Sequence, residues 1–277
     1  MRSDLLSLRP LHITGPLVSI KIQMFNIFSK RIEGFLYISD KSRDDRFIDV
    51  HQDSIIKNKS KKPPYFVVNH NINRIIITEW PGKLFFVETL SSYWRLNRNL
   101  LKNAGYTRAN GVKILEVLEL HKLFGKNGKL IKQVVDKSNN IEIDEAKILS
   151  KHLKNKSCEI YDIAWKRWLA LKNIQNENSE NYLGTSGIIS NETELDQYSP
   201  LGEVLSIIGN LLYKRIQQID NENGLIVDNE GEIRLSNLWN TTQQTLFNIA
   251  MAYENQNILN EQEKLLLLEP WNILTNE

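Results

Sequence analysis

The chain reads as an α+β protein, an N-terminal antiparallel β-rich lobe followed by a mainly helical C-terminal lobe with one small hairpin. Three observations predict this. Up to about Leu118 the apolar residues recur with a period of two, or in short runs rich in Val, Ile, Phe and Tyr, as they do in strands. Beyond Leu120 the spacing lengthens to three and four, as in amphipathic helices. Charge also divides. Up to Asn173 there are 31 Lys and Arg against 17 Asp and Glu, net +14; after it there are 4 against 16, net −12.

Strands are expected first at residues 17–28 (Val18, Ile20, Ile22, Phe25, Ile27) and 32–39 (Ile32, Phe35, Tyr37, Ile38), with 47–50 continuing the sheet after a charged turn. Lys57 to Lys62 and Pro63-Pro64 form a basic, solvated loop, because proline removes a donor and fixes an extended backbone. Residues 65–68 and 74–80 are the clearest strands, and Pro81-Gly82 fits the centre of a type II turn into residues 84–90. That places 75–80 and 84–87 in one β-hairpin. Ile75-Ile76-Ile77 and Leu84-Phe85-Phe86-Val87 are apolar at successive positions, which requires both sheet faces to be covered. Residues 111–118 make a further strand.

Helices follow. Residues 120–135 divide at Gly125 and Gly128 into a short helix, a turn and a second helix. Residues 143–153 form the next, with Asp144 as N-cap. Residues 160–171 carry Ile160/Tyr161, Ala164/Trp165 and Trp168/Leu169 on one stripe. Residues 173–199 are Asn-, Glu- and Ser-rich and read as a polar loop or linker. A helix then restarts with Ser199 as cap and Pro200 in its first position. Residues 224–227 and 232–235 flank the turn Asp228-Asn229-Glu230-Gly231 as a hairpin. Ser236 or Asn237 opens a long helix with Trp239, Leu246, Ile249, Ala250 and Tyr253 on one side, and residues 261–268 form a last helix ending before Pro270. The organisation expected is a loosely attached or upstream segment (1–23), a β-rich lobe (24–118), a helical continuation (119–172), the polar loop (173–199) and an acidic helical lobe (200–277).

No apolar run approaches the ~20 residues that span a bilayer, so no membrane is expected as a partner. Asp4 and Arg9 interrupt what would be the apolar core of an export signal, Met24 is an alternative start, and the single cysteine, Cys158, has no partner for a disulfide. A reducing, cytoplasmic setting follows.

The candidate chemistry is thin. Among five histidines no pair has helical ligand spacing; His51, Asp53 and His70 are the residues from which a composite metal site would be drawn, and solvated loop side chains are the ordinary reading. Cys158 precedes an amphipathic helix whose dipole would lower a thiol pKa, with His152 six residues away; packing is the commoner use of such a cysteine. Gly125-Lys126-Asn127-Gly128-Lys129 lacks the spacing and the hydroxyl residue of a phosphate-binding loop and reads as a basic turn. Asp220-Asn221-Glu222 and Asp228-Asn229-Glu230 have the composition of calcium loops without the ligand pattern, so turns account for both. Hence no catalytic residue, metal or cofactor is assigned.

Between Leu90 and Lys137 there are ten basic residues against three acidic ones, net +7. Tyr93, Trp94, Arg95, Arg98, Arg108, Lys126, Lys129 and Lys132 are the candidate binding residues, cations interleaved with rings that single strands stack on. The expected function is nonetheless non-catalytic protein interaction, of a bacterial regulator or toxin-neutralising type, because six tryptophans and an acidic end come with no catalytic constellation. The alternative is a nucleic-acid-binding protein using residues 93–137. The charge split itself predicts that the acidic part docks on the basic part and neutralises some of it.

Overall fold

The computed structural model describes residues 31–42, 45–58, 63–77, 79–90, 104–177, 201–254 and 258–276. The expected strand at 17–28, the segment 1–23 and the caps Ser199 and Pro200 lie outside them.

The fold is α+β, as the periodicities require. Six antiparallel strands come first: β1 (Glu33–Ser39), β2 (Ile55–Lys57), β3 (Phe66–Asn69), β4 (Gly82–Thr89), β5 (Tyr106–Ala109) and β6 (Gly111–Leu118). Helices α1 (Gly128–Asn140), α2 (Ile143–Lys151), α3 (Asn155–Glu177) and α4 (Leu201–Ile219) follow. A helical turn, Asn221–Gly224, leads into the hairpin β7 (Leu225–Val227) and β8 (Ile233–Leu235), and α5 (Asn237–Tyr253) and α6 (Glu261–Asn276) complete the chain.

The sheet order is β2-β6-β4-β1-β3-β5. Laid flat, β5 and β6 would lie four strand spacings apart, about 19 Å. Only Asn110 separates them in sequence, and two Cα steps span at most about 7 Å. The sheet must therefore curl until its ends approach, as a barrel does. Its concave face confirms this. Leu36, Ile56, Phe66, Val68, Phe85, Val87, Ala109, Val112 and Ile114, drawn from all six strands, form one buried cluster. Phe47, on a 3-10 turn (Asp45–Phe47), joins that cluster, its ring 5.6 Å from Phe85 and 5.9 Å from Phe66. Lys83 Nζ donates to the carbonyls of Phe47 and Ile48, at 2.9 and 2.8 Å, and fixes the turn.

The convex face is apolar too. Phe35 pairs with Phe86 and Tyr37 with Leu84 across β1 and β4. Val87 opposes Ile114 while Phe86 opposes Glu116, so Leu115 is an extra residue on β6. Such a bulge bends the strand and shifts its side chains by one face. Val112 and Ile114 thus line the interior, while Leu118 faces the helices beside Leu84. Both faces of β1 and β4 carry residues packed in a core, as the consecutive apolar residues of β4 demand.

The described residues of 74–80 are not in a strand. Both edges of β4 are occupied, by β1 and β6, so no edge is left for the expected hairpin partner. Asn71 caps a 3-10 turn, Ile72–Arg74, instead, and the apolar run packs between sheet and helices through Ile75 and Trp80. The fully buried Trp80 donates its indole N–H to Asp136 Oδ1 of α1 at 2.9 Å. It also lies 5.5 Å from Phe124 and beneath the Lys132 ammonium. Residues 47–50 likewise leave the sheet, because Phe47 turns inward. In the helical part, Glu142 rather than Asp144 caps α2, in a reciprocal box with Glu145. The α3 helix is longer than its apolar stripe, and α6 runs through Pro270.

One buried cluster joins Ile75, Trp80, Leu84 and Leu118 of the sheet side to residues of all six helices. At its centre is α5, which contacts α1, α2, α3, α4 and α6. Thr242 and Thr245 donate to the Ala146 and Leu149 carbonyls of α2, at 3.1 and 3.3 Å. Charge is also paired across the halves. Arg167 donates to Glu263 at 3.1 Å and to the Ile258 carbonyl at 2.8 Å, and Lys154 pairs with Glu269. The Asn260 backbone N–H, and after it Arg167, hold the Glu263 carboxyl below its ordinary range against the effect of burial. Among the described residues, Lys154 and Arg167 are the cations of the first half that pair with anions of the second.

The base of the hairpin tolerates no side chain at Gly224. A Cβ there would sit 2.3 Å from Ile216 Cγ2 and 2.9 Å from Trp239 Nε1, where that indole donates to Asp220 at 2.7 Å. Gly224→Ala is expected to lower stability by about 1–3 kcal/mol, as overpacking does. The readout is a lower urea midpoint at unchanged slope; an unchanged midpoint would contradict the packing described.

Candidate functional site

Tyr93, Trp94, Arg95 and Arg98 lie outside the described residues. The other four candidates occupy two elements. Arg108 is on β5, where Thr107 and Ala109 point into the sheet's interior and Tyr106 and Arg108 therefore point outward. Val67 is the cross-strand partner of Arg108. Lys126 lies in the turn before α1 and Lys129 in the first turn of that helix. Both are exposed, with no ion pair among the described residues. Lys132 is neutralised: it pairs with Asp136 at 2.5 Å and lies 5.9 Å from the Trp80 ring centroid.

The Gly125–Gly128 turn does not form a phosphate cradle. Gly125 adopts φ 73°, and a Cβ on Gly128 would meet the His121 carbonyl oxygen at 1.9 Å. These glycines close a tight turn. Three amides of the turn are engaged within it: Gly128 donates to Gly125, and Leu130 and Ile131 donate to Asn127. The Asn127 side chain is bound to the Tyr253 carbonyl at 2.8 Å.

The remaining candidates are dispersed as well. Asp53 pairs with Lys113 at 2.7 Å, His51 is exposed near the Asp49 carbonyl, and His70 meets the Thr107 hydroxyl at 2.7 Å. They do not form a ligand cluster. Cys158 lies in the first turn of α3, yet burial pushes its thiol up from the ordinary 9.0, and the Asp162 and Glu159 carboxylates add to that. Partial burial and the local anions thus raise the thiol rather than activate it.

The tryptophans do not serve as surface anchors among the described residues. Trp80, Trp168, Trp239 and Trp271 are buried. Trp165 is half-buried, stacked 4.8 Å from Trp168, and Trp168 faces Gly202 of α4. Tyr161 continues the stack 6.4 Å from Trp165, its hydroxyl pKa raised to about 12 by burial and the Asp162 carboxylate.

The exposed apolar groups lie elsewhere. On the hairpin, Val227 is 70%, Ile233 61% and Ile226 49% exposed. The register pairs Leu225 with Leu235, Ile226 with Arg234 and Val227 with Ile233. Leu225 and Leu235 pack on the helical core. Two residues on, Val227 and Ile233 continue the same face beyond it. The turn is tightly built: Asp228 Oδ1 accepts the amides of Glu230 and Glu232, both at 2.9 Å, and Gly231 takes φ 81°. Arg234 lies among Asp228, Glu230 and Glu232, at 2.5, 3.9 and 3.3 Å. These carboxylates are within ligand distance of one another, but the guanidinium occupies them, as a structured turn requires. Sequence reasoning passed over this surface. Its signal is Leu225-Ile226-Val227, three successive apolar residues on a two-stranded ribbon that has only one face against the core.

An environment that raises the Cys158 thiol pKa makes it a poor nucleophile. At neutral pH it should alkylate with iodoacetamide more slowly than glutathione, at a rate His152→Ala leaves unchanged. A faster reaction, or one dependent on His152, would contradict the account of that site.

The chain matches no family model, and no curated protein or solved structure is significantly similar to it.

Proposed function

We propose that this chain is a non-catalytic protein-binding protein, of the regulator or toxin-neutralising type, making its contact through the hairpin at residues 225–235. The observation that supports this reading is the exposed pair Val227 and Ile233, directly opposite each other on one face of a short ribbon, with Ile226 exposed on its other face. Scattered exposed apolar residues need no explanation, but a clustered set rimmed by charge is typical of interaction surfaces. The ribbon is anchored by Leu225 and Leu235, so it presents that set at little ordering cost. Asp228, Glu230 and Glu232 surround it with carboxylates, which select against acidic partners.

Nucleic-acid binding is the second reading. What favours it is the outward Tyr106 and Arg108 of β5, together with the exposed Lys126 and Lys129 of the α1 turn. Against it stands the neutralisation of Lys132 by Asp136.

One comparison separates the two. Tagged wild-type chain, recovered from native extract at moderate salt, should bring down protein. The double variant Val227→Lys/Ile233→Lys should lose it at unchanged thermal stability, while Lys126→Glu/Lys129→Glu should not. Undiminished capture by the hairpin variant would defeat the reading. A salt-dependent shift of single-stranded oligonucleotide, lost in the lysine variant, would put the second reading first.

A further inference from the structure

We infer that the protein docked on this hairpin is a second copy of the chain, joined antiparallel through β8 with Ile233 at the two-fold axis. The inference rests on reading the hairpin as a contact surface, and it adds the partner's identity.

The backbone supplies the first argument. Within the hairpin, Asp228 donates to the Glu232 carbonyl and Ser236 donates to the Gly224 carbonyl. Alternation along an antiparallel ladder then turns the amides and carbonyls of Glu232, Arg234 and Ser236 toward β7, and those of Ile233 and Leu235 away from it. The two-stranded sheet has no further strand on that side among the described residues. Ile233 thus offers both a donor and an acceptor at an open edge, which is a template for another strand.

The side chains supply the second. Around Ile233 the sequence runs Glu232-Ile233-Arg234, anion, apolar, cation. Two such strands paired antiparallel about Ile233 place each Glu232 opposite the other copy's Arg234. Those are non-hydrogen-bonded positions, where facing side chains are closest. Centring the pairing on Arg234 instead would oppose two guanidinium groups. The register chosen by the free backbone groups is therefore also the one chosen by charge. On the opposite face it brings Ile233 and Val227 of both copies into one apolar strip across four strands. That brings together two residues that stand exposed in the single chain. A partner strand with another charge order would satisfy the backbone groups but not both ion pairs.

The contact is short, so the association is weak and concentration-dependent. Sedimentation velocity on the purified full chain, from about 5 to 500 μM, should show a monomer–dimer equilibrium. Arg234→Glu alone opposes two carboxylates twice, and Glu232→Arg alone opposes two cations twice. Each should raise the dimer dissociation constant at least about tenfold. Mixing the two variants restores both opposite-charge pairs and should restore the dimer as a heterodimer. The double variant Glu232→Arg/Arg234→Glu should dimerise again by itself. Ile233→Pro removes an amide that the hairpin does not use, and should abolish dimerisation at unchanged far-ultraviolet circular dichroism. A monomer throughout the range would overturn the inference, as would a dimer indifferent to these charges or a mixture that stays monomeric. If the chain is monomeric yet loses an extract partner on Val227→Lys/Ile233→Lys, this inference fails and the protein-binding reading stands. If it is monomeric and that variant captures as before, both fail.

Discussion

Asn110 is the constraint on which the architecture turns. One residue joins the edge strand β5 to β6, four spacings away in the sheet order, and this forces the sheet to curl. Curling creates two surfaces with different needs. The inner one closes on itself around Leu36, Phe85, Val112 and Ile114, with Phe47 packed against it. The outer one, carrying Phe35, Phe86, Leu84 and Leu118, cannot close and must be covered by another layer. The helices are that layer. Trp80 is the pin between them: its ring is buried against Phe124, and its only polar atom is bound by Asp136 of α1.

The helical layer is in turn organised by α5, which is buried along most of its length. The single hydroxyl protons of Thr242 and Thr245 are each shared between a carbonyl one turn back on α5, at 2.8 and 2.9 Å, and a carbonyl of α2, at 3.1 and 3.3 Å. That permits polar side chains inside the core. The charge split belongs to the same assembly. Arg167 ties the long helix α3 to the Asn260–Glu263 capping box of α6, and Arg215 ties α4 back to Glu142 at the start of α2. Such exposed pairs add little stability singly. Their use is orientation: Arg167 of the first half meets an anion of the second and Arg215 of the second meets an anion of the first, both where helices cross.

Much of the fold was legible in the sequence. The alternation in residues 32–39 and 111–118, the stripe of Ile160, Ala164 and Trp168, and the turn at Asp228–Gly231 each follow from local chemistry. What local chemistry does not carry is competition for partners. Residues 75–80 have the composition of a strand, yet β1 and β6 already occupy both edges of β4, so the segment packs as a coil. Capping was misplaced by two residues because Glu142 gains a reciprocal bond with Glu145 that Asp144 cannot make. The binding surface was harder still. Basic residues stand out in a sequence, but their exposure does not: Lys132 pairs with Asp136 one turn along α1, as helical spacing allows, whereas its seat over the Trp80 ring depends on how that segment packs. The exposure of Val227 and Ile233 depends on where the helical body ends beneath the hairpin.

The convex side of the sheet and the helices therefore share one core, distinct from the cluster inside the sheet, and neither layer covers its share of that core without the other. Native-state hydrogen exchange under mild denaturant reads this most directly. The slowest amides of β4, such as Phe85, and of α5, such as Ile249, should exchange through one global opening, with the same free energy and the same denaturant dependence. Exchange of α5 at a distinctly lower free energy, with β4 still protected, would mean that the sheet stands without its helical cover and would contradict the shared core.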